Sequence, residues 1–277
     1  MLFACVCVVT SPVAQSESIL VYGAKGELRG RLEASAKESL PEHTVFASDQ
    51  TQKADLAIIV GATALEKFCS ENDSTPITVT HIYERRFASA SKGCTQPVGA
   101  VFFDAPFEAQ AELAEALFPG QSSASLTSSV THQKMARAQG IDHPLPVEGR
   151  SVYPAIKALL TDSASWSVFY VEMDPAIYQG TDYRLTIETL ARNRKAAIVP
   201  VMSLVKAGAV AGVYYDKESL EDALFTSVST YLSDGVSTTK RSKHLSVAIN
   251  HSILRTLYGR KLTAADVETI ENSINDK

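Results

Sequence analysis

Short runs that are apolar throughout alternate with amphipathic stretches along most of the chain. Residues 18–22 form the first run, which ends at Gly23, and 27–40 read as a helix stopped by Pro41. Residues 44–47 and 54–60 are two further strands. The second of these ends at Gly61, and a helix over 62–68 follows. Strands at 76–82 and 98–103 complete the series. Strands with no polar face, separated by helices, imply a parallel sheet covered on both sides.

The pattern then repeats. A helix over 106–118 is ended by Pro119-Gly120, and a weaker strand covers 125–130. Residues 131–139 read as a helix that stops at Gly140, 144–147 as a short strand and 152–160 as a helix. The strand 166–171 runs into Glu172-Met173-Asp174, followed by a helix over 183–194 and a strand over 197–202. Two consecutive series of similar length predict an α/β fold of two doubly wound, parallel-sheet lobes. A long helix over 217–232, a late strand at 245–249 and a terminal helix over 262–274, with Thr263 as its N-cap, close the chain.

Composition narrows the class. The 277 residues are 45% hydrophobic and 21% charged, ordinary for a globular protein. A net charge of −5 argues against wholesale nucleic-acid binding, and Lys240-Arg241-Ser242-Lys243 reads as a solvated turn. Residues 1–9 are an unbroken apolar run, followed by Thr10, Ser11 and Pro12 and by small residues at Ala14 and Ser16. This is the layout of a secretory leader, too short to span a bilayer, although no basic residue precedes it. Leu2-Phe3-Ala4-Cys5 also resembles a lipoprotein box, ahead of much of the apolar run. Cleavage after residue 16 leaves Cys69 and Cys94, an even pair whose export predicts a disulfide.

Several segments in this order carry a family resemblance. Val101-Phe102-Phe103-Asp104-Ala105-Pro106, with the helix to Phe118-Pro119, is similar to a first crossover between lobes. Met173-Asp174-Pro175 with Tyr178 is similar to an acidic turn after a second-lobe strand. Ile198-Val199-Pro200-Val201 through Ala207-Gly208-Ala209, and the late strand ending in Asn250, complete the set. The chain thus resembles the type I periplasmic binding proteins, within them the ABC-transporter substrate-binding family of the tryptophan- and tyrosine-binding lipoproteins. The resemblance implies two lobes, a hinge of three crossovers, a small-molecule ligand closed between the lobes and an inner-membrane permease as partner. It places lobe one at 17–104 and 208–237, lobe two at 105–207 and 238–260, and a C-terminal helix at 261–277. In that arrangement residues 204–208 are a crossover returning to lobe one.

Ligands of open α/β sheets sit beyond the carboxyl ends of strands. That rule selects Gly23, Ala24, Gly61, Ala62, Thr63 and Asp104 in lobe one, and Ser128, Ser129, Asp174, Ser203 and Tyr214 in lobe two. Tyr178 joins them as an aromatic surface for a ligand to stack on. Backbone N–H groups at 61–63 either hold a carboxylate or only make a tight turn. Asp174 either accepts from a ligand ammonium or caps the turn at Pro175. Trp166 reads as packing, and Tyr83-Glu84-Arg85-Arg86 as a solvated charged turn. No nucleophile elbow, P-loop, dinucleotide fingerprint or metal-ligand spacing is present. The expectation is a monomeric, exported, non-enzymatic protein without cofactor or metal. It captures an amino acid or small aromatic for an ABC transporter or, alternatively, senses a ligand for a membrane partner.

Overall fold

A computed structural model describes residues 17–149, 151–161 and 165–276; the expected leader at 1–16 lies outside them. The first series comprises β1 (Ser18–Tyr22), α1 (Gly26–Ser39), β2 (Thr44–Ser48), β3 (Leu56–Val60), α2 (Ala62–Glu71), β4 (Ile77–Ile82), α3 (Glu84–Ala90) and β5 (Val98–Phe102). The second comprises α4 (Phe107–Leu117), β6 (Ser123–Thr127), α5 (Val130–Ala138), β7 (His143–Pro146), α6 (Tyr153–Thr161), β8 (Val168–Tyr170), α7 (Asp182–Arg192), β9 (Ala196–Val199), α8 (Met202–Lys206) and β10 (Ala211–Tyr214). The chain ends with α9 (Lys217–Asp234), β11 (Thr239–Lys240), β12 (Ser246–Ile249), α10 (His251–Tyr258) and α11 (Ala264–Asn275).

Two six-stranded sheets result. Sheet one runs β11-β5-β4-β3-β1-β2, parallel throughout. Sheet two runs β12-β10-β9-β8-β6-β7, parallel except for β12. The all-apolar strands are apolar because each face meets a helix layer. In β1, Ile19 and Val21 pack with Leu32 of α1 and Val228 of α9, whereas Leu20 and Tyr22 pack with Leu65 and Phe68 of α2. In sheet two, Phe169 and Val199 pack with Ile156 of α6 and Leu190 of α7. Val168 and Ile198 face Leu113 of α4 and Ile274 of α11.

The chain passes between the lobes three times. Phe103 N–H still donates to Ile82 in lobe one (3.1 Å), while Ala105 N–H already donates to Pro200 in lobe two (3.2 Å). The second passage lies between Tyr214, paired with Ser246 in sheet two, and Asp216, which caps α9 on lobe one. The third lies between Lys240, paired with Val101, and Leu245, held by the Asn275 side chain of α11.

This corrects the expected return to lobe one at residue 208. The segment 204–208 is no crossover: α8 and the turn after it close a β-α-β unit, and β10 pairs parallel to β9 through Ala211 and Ile198. The reason is visible at Gly212. A Cβ there would lie 2.8 Å from both the carbonyl and a methyl group of Val199 and 2.8 Å from Val205, so only glycine lets α8 and β9 close on β10. Two charged turns are corrected as well. Residues 84–90 form α3, and Lys240 belongs to β11.

Cys69 of α2 and Cys94 form the expected disulfide, with Cα atoms 4.8 Å apart across a sequence separation of 25. Closing a loop of that length stabilises by about 3 kcal/mol through chain entropy. The Cys69→Ser/Cys94→Ser variant should lose that amount in urea-induced unfolding. An unchanged midpoint would show that the bridge constrains nothing.

Candidate functional site

Lobe one carries a cavity of about 810 Å³ at the carboxyl ends of β1 and β3. Strand order reverses there, since β1 leads to β2 on one side and β3 lies on the other. Such a switch point opens a crevice at the strand ends. Gly23, Gly61, Ala62 and Thr63 line it, together with Lys25, Arg29, Asp49 and Lys67. Gly23 has φ +82°, and a Cβ there would lie 2.4 Å from that of Ala64. The missing side chain therefore lets the first turn of α2 lie against the β1 turn. Gly61 offers α2 no side-chain cap, and the helix starts its own hydrogen bonding only with Leu65 N–H to Gly61 (3.1 Å). The N–H groups of residues 62–64 are thus left for the cavity or solvent. Arg29 is fixed by Nε donation to the Ala24 carbonyl (2.9 Å) and by an ion pair with Asp49.

A second group of residues forms the seam between the lobes and lines a cavity of about 270 Å³. Arg85 of α3 pairs with Glu172, beyond β8, at 2.6 Å. Arg241 of the third passage donates to the Asp104 carbonyl (2.7 Å) and to Glu84 Oε2 (2.5 Å). Asp104 Oδ1 accepts from Glu84 N–H at 3.0 Å. Burial pushes the Asp104 and Glu172 carboxyls above their ordinary range, and Arg85 only partly offsets this for Glu172. Aromatic rings continue the seam. Phe103 lies 5.4 Å from His81 and 6.0 Å from Tyr83, and Tyr178 stacks on Tyr183 at 4.4 Å. His81 has φ +53° beside an irregularity in the β4–β5 register, a strained conformation of the kind found at functional edges.

The sequence-selected residues therefore divide. Gly23, Gly61, Ala62 and Thr63 come together on the lobe-one cavity, while Ala24 is turned into the core. Asp104 lies on the seam, clamped as just described. Ser129 caps α5 by accepting from His132 N–H, and Ser128 Oγ meets His132 Nδ1 at 2.6 Å. Asp174 is buried and accepts from Ala176 N–H (2.8 Å), the turn-capping alternative. Tyr178 is buried beneath Tyr183, and its hydroxyl has no hydrogen-bond partner among the described residues. Ser203 is exposed on α8. Tyr214 stands beside Ser246 and Glu271, apart from both cavities. Trp166 is packing: its ring is buried and Nε1 donates to Leu159 (2.9 Å).

Sequence reasoning missed Lys25, Arg29, Asp49 and Lys67. Lys67 was findable, because Ala64 and Lys67 share a helix face at a spacing of three. Arg85, Glu172 and Arg241 were not, because their partners are remote in sequence and a local charge run looks solvated.

Two outcomes follow from this geometry. Gly23→Ala should destabilise by about 2–4 kcal/mol, from the left-handed φ and the overpacking against Ala64, read by urea unfolding. The seam carboxyls bind protons more tightly when folded. Their stabilisation is therefore complete below the ordinary values of 4.5 for Glu172 and 3.8 for Asp104, and is lost as pH climbs through the raised ones. A Glu172→Gln/Asp104→Asn variant should lose less stability than the parent as pH climbs above about 4. An identical slope in the two proteins would contradict the assignment.

No family model matches the sequence, and no curated protein matches it in sequence. Solved structures do. A Clostridium difficile substrate binding protein with adhesive properties, in its ligand-free, open structure, is 14% identical with a TM-score of 0.65, over 91% of this chain and 98% of that one. A conserved domain protein from Vibrio cholerae is 14% identical with a TM-score of 0.60, over 91% and 97%. An ABC domain from Streptococcus pneumonia in complex with L-Trp is 15% identical with a TM-score of 0.57, over 91% and 98%. Two mostly parallel six-stranded sheets joined by three passages have the two-lobe fold of the type I periplasmic binding proteins.

Proposed function

We propose that this chain is an exported solute-binding protein that captures a small organic molecule between its lobes and hands it to an ABC transporter. The observation that carries the reading is the lobe-one cavity at the switch point of the sheet, within the size range of small-molecule sites. The fold supports it: two lobes joined by thin passages can close on a ligand by hinge motion. Arg85 and Glu172 already join the lobes next to those passages, so closure would pivot about that seam. Substrate binding by the Clostridium protein and L-Trp in the Streptococcus structure make amino acids and small aromatics the first candidates. No helix among the described residues is long and apolar enough to cross a membrane. In this reading nothing is turned over and the protein acts as a monomer.

A thermal-shift panel of amino acids and small aromatics tests the proposal, because a ligand that binds only the folded state raises the melting temperature. A shift that saturates with concentration is the expected result. No shift from any compound once the panel is widened to sugars and small organic anions, or a product in a turnover screen, would overturn it. Neighbouring permease and ATPase genes fit transport, whereas a kinase or cyclase gene would reassign the captured ligand to sensing.

A further inference from the structure

We infer that the lobe-one cavity receives the end of the solute that carries two negative charges, as in a dicarboxylate or a phosphate monoester. This rests on the solute-binding reading above and adds the ligand class. The cavity wall brings three cations, Lys25, Arg29 and Lys67, from two helices and the turn between β1 and α1, against one carboxylate, Asp49. The lining thus has a surplus of two positive charges in a chain whose formal net charge is −5. Asp49 is committed to Arg29. Lys67 reaches only Glu71, at 4.0 Å and with both side chains exposed, a pair that contributes little in water. Among the described residues, no carboxylate lies within ion-pair distance of Lys25. The two surplus charges therefore sit on the two side chains that are free to move onto a ligand.

The surroundings give direction as well as charge. Arg29 is held in place by the Ala24 carbonyl, so its guanidinium is a fixed edge and not a swinging arm. The free N–H groups at the start of α2 point the same sign of potential at the cavity, and no acidic residue occupies that first turn. A zwitterionic amino acid brings only one negative charge and adds an ammonium that this wall repels. A dianion answers both lysines and still accepts from the backbone.

The test uses the full chain at low salt with four probes: succinate, glycerol phosphate, tryptophan and arginine. Succinate or glycerol phosphate should raise the melting temperature, and comparing the two separates the carboxylate source from the phosphate source. The Lys25→Gln/Lys67→Gln variant should lose about tenfold or more in affinity for the binding dianion by calorimetry. Its ligand-free melting temperature should stay unchanged, because both side chains are exposed. Added salt should weaken binding to the parent. If tryptophan or arginine binds and neither dianion does, the inference falls while solute capture stands. Equal dianion affinity in parent and variant also overturns it. Silence from all four probes overturns it too, and leaves solute capture to be judged by the wider panel.

Discussion

A residue with 8% of its surface exposed fastens the first passage between the lobes to the third. Asp104 sits in the first passage between the sheets; its side chain holds the start of α3 and its carbonyl holds Arg241 of the third passage. The chain passes between the lobes on one side only, beyond β5 and β11, and everything farther out along sheet one is free of that tether. The cavity at β1 and β3 lies on the far side of the sheet from this fastening. Rotation about the seam therefore moves the second lobe most where the cavity is and least where the charges are buried. A desolvated carboxylate at the pivot is costly unless its hydrogen bonds are kept. Motion that preserved the Glu84 and Arg241 contacts would be favoured over motion that broke them.

The two lobes are built alike but furnished differently. Lobe one places cations and free backbone donors at its strand ends. Lobe two places Glu172 and Asp174 beyond β8, with Tyr183 close by and Tyr178 beneath it. Its serines are largely used up in local structure, since Ser129 caps α5 and Ser128 engages His132. Its acidic groups are engaged too, Glu172 by Arg85 and Asp174 by Ala176 N–H, so the uncommitted charge lies on lobe one.

Much of this was legible in the residues. The buried strands were visible because both faces of each sheet meet helices, which removes polar positions from strands such as Leu56–Val60. The disulfide was visible because only two cysteines, Cys69 and Cys94, lie beyond the apolar run at the start of the chain. The second passage was misplaced because a five-residue helix between two apolar strands looks like a linker. What shows otherwise is the fit of Gly212 against Val199 and Val205, a tertiary fact. The seam was invisible for a related reason. Arg85 and Arg241 sit among other charges in sequence, and only folding reveals that each pairs with a carboxylate remote from it in the chain. The cavity was half legible: its glycines announced themselves, whereas its lysines looked like any surface lysine.

The interleaving of the lobes bears on how the protein comes into being. Sheet one lacks α9 over β4 and β5, and β11 at its edge, until the chain has been made past residue 240. By then β6 to β10 have already emerged. A chain synthesised from its N-terminus must therefore hold an apolar sheet face uncovered while the other lobe assembles, a state prone to wrong association. Lobe two likewise waits for β12 and α11. Lobe one is complete only after most of lobe two has been made, and lobe two closes last, with α11.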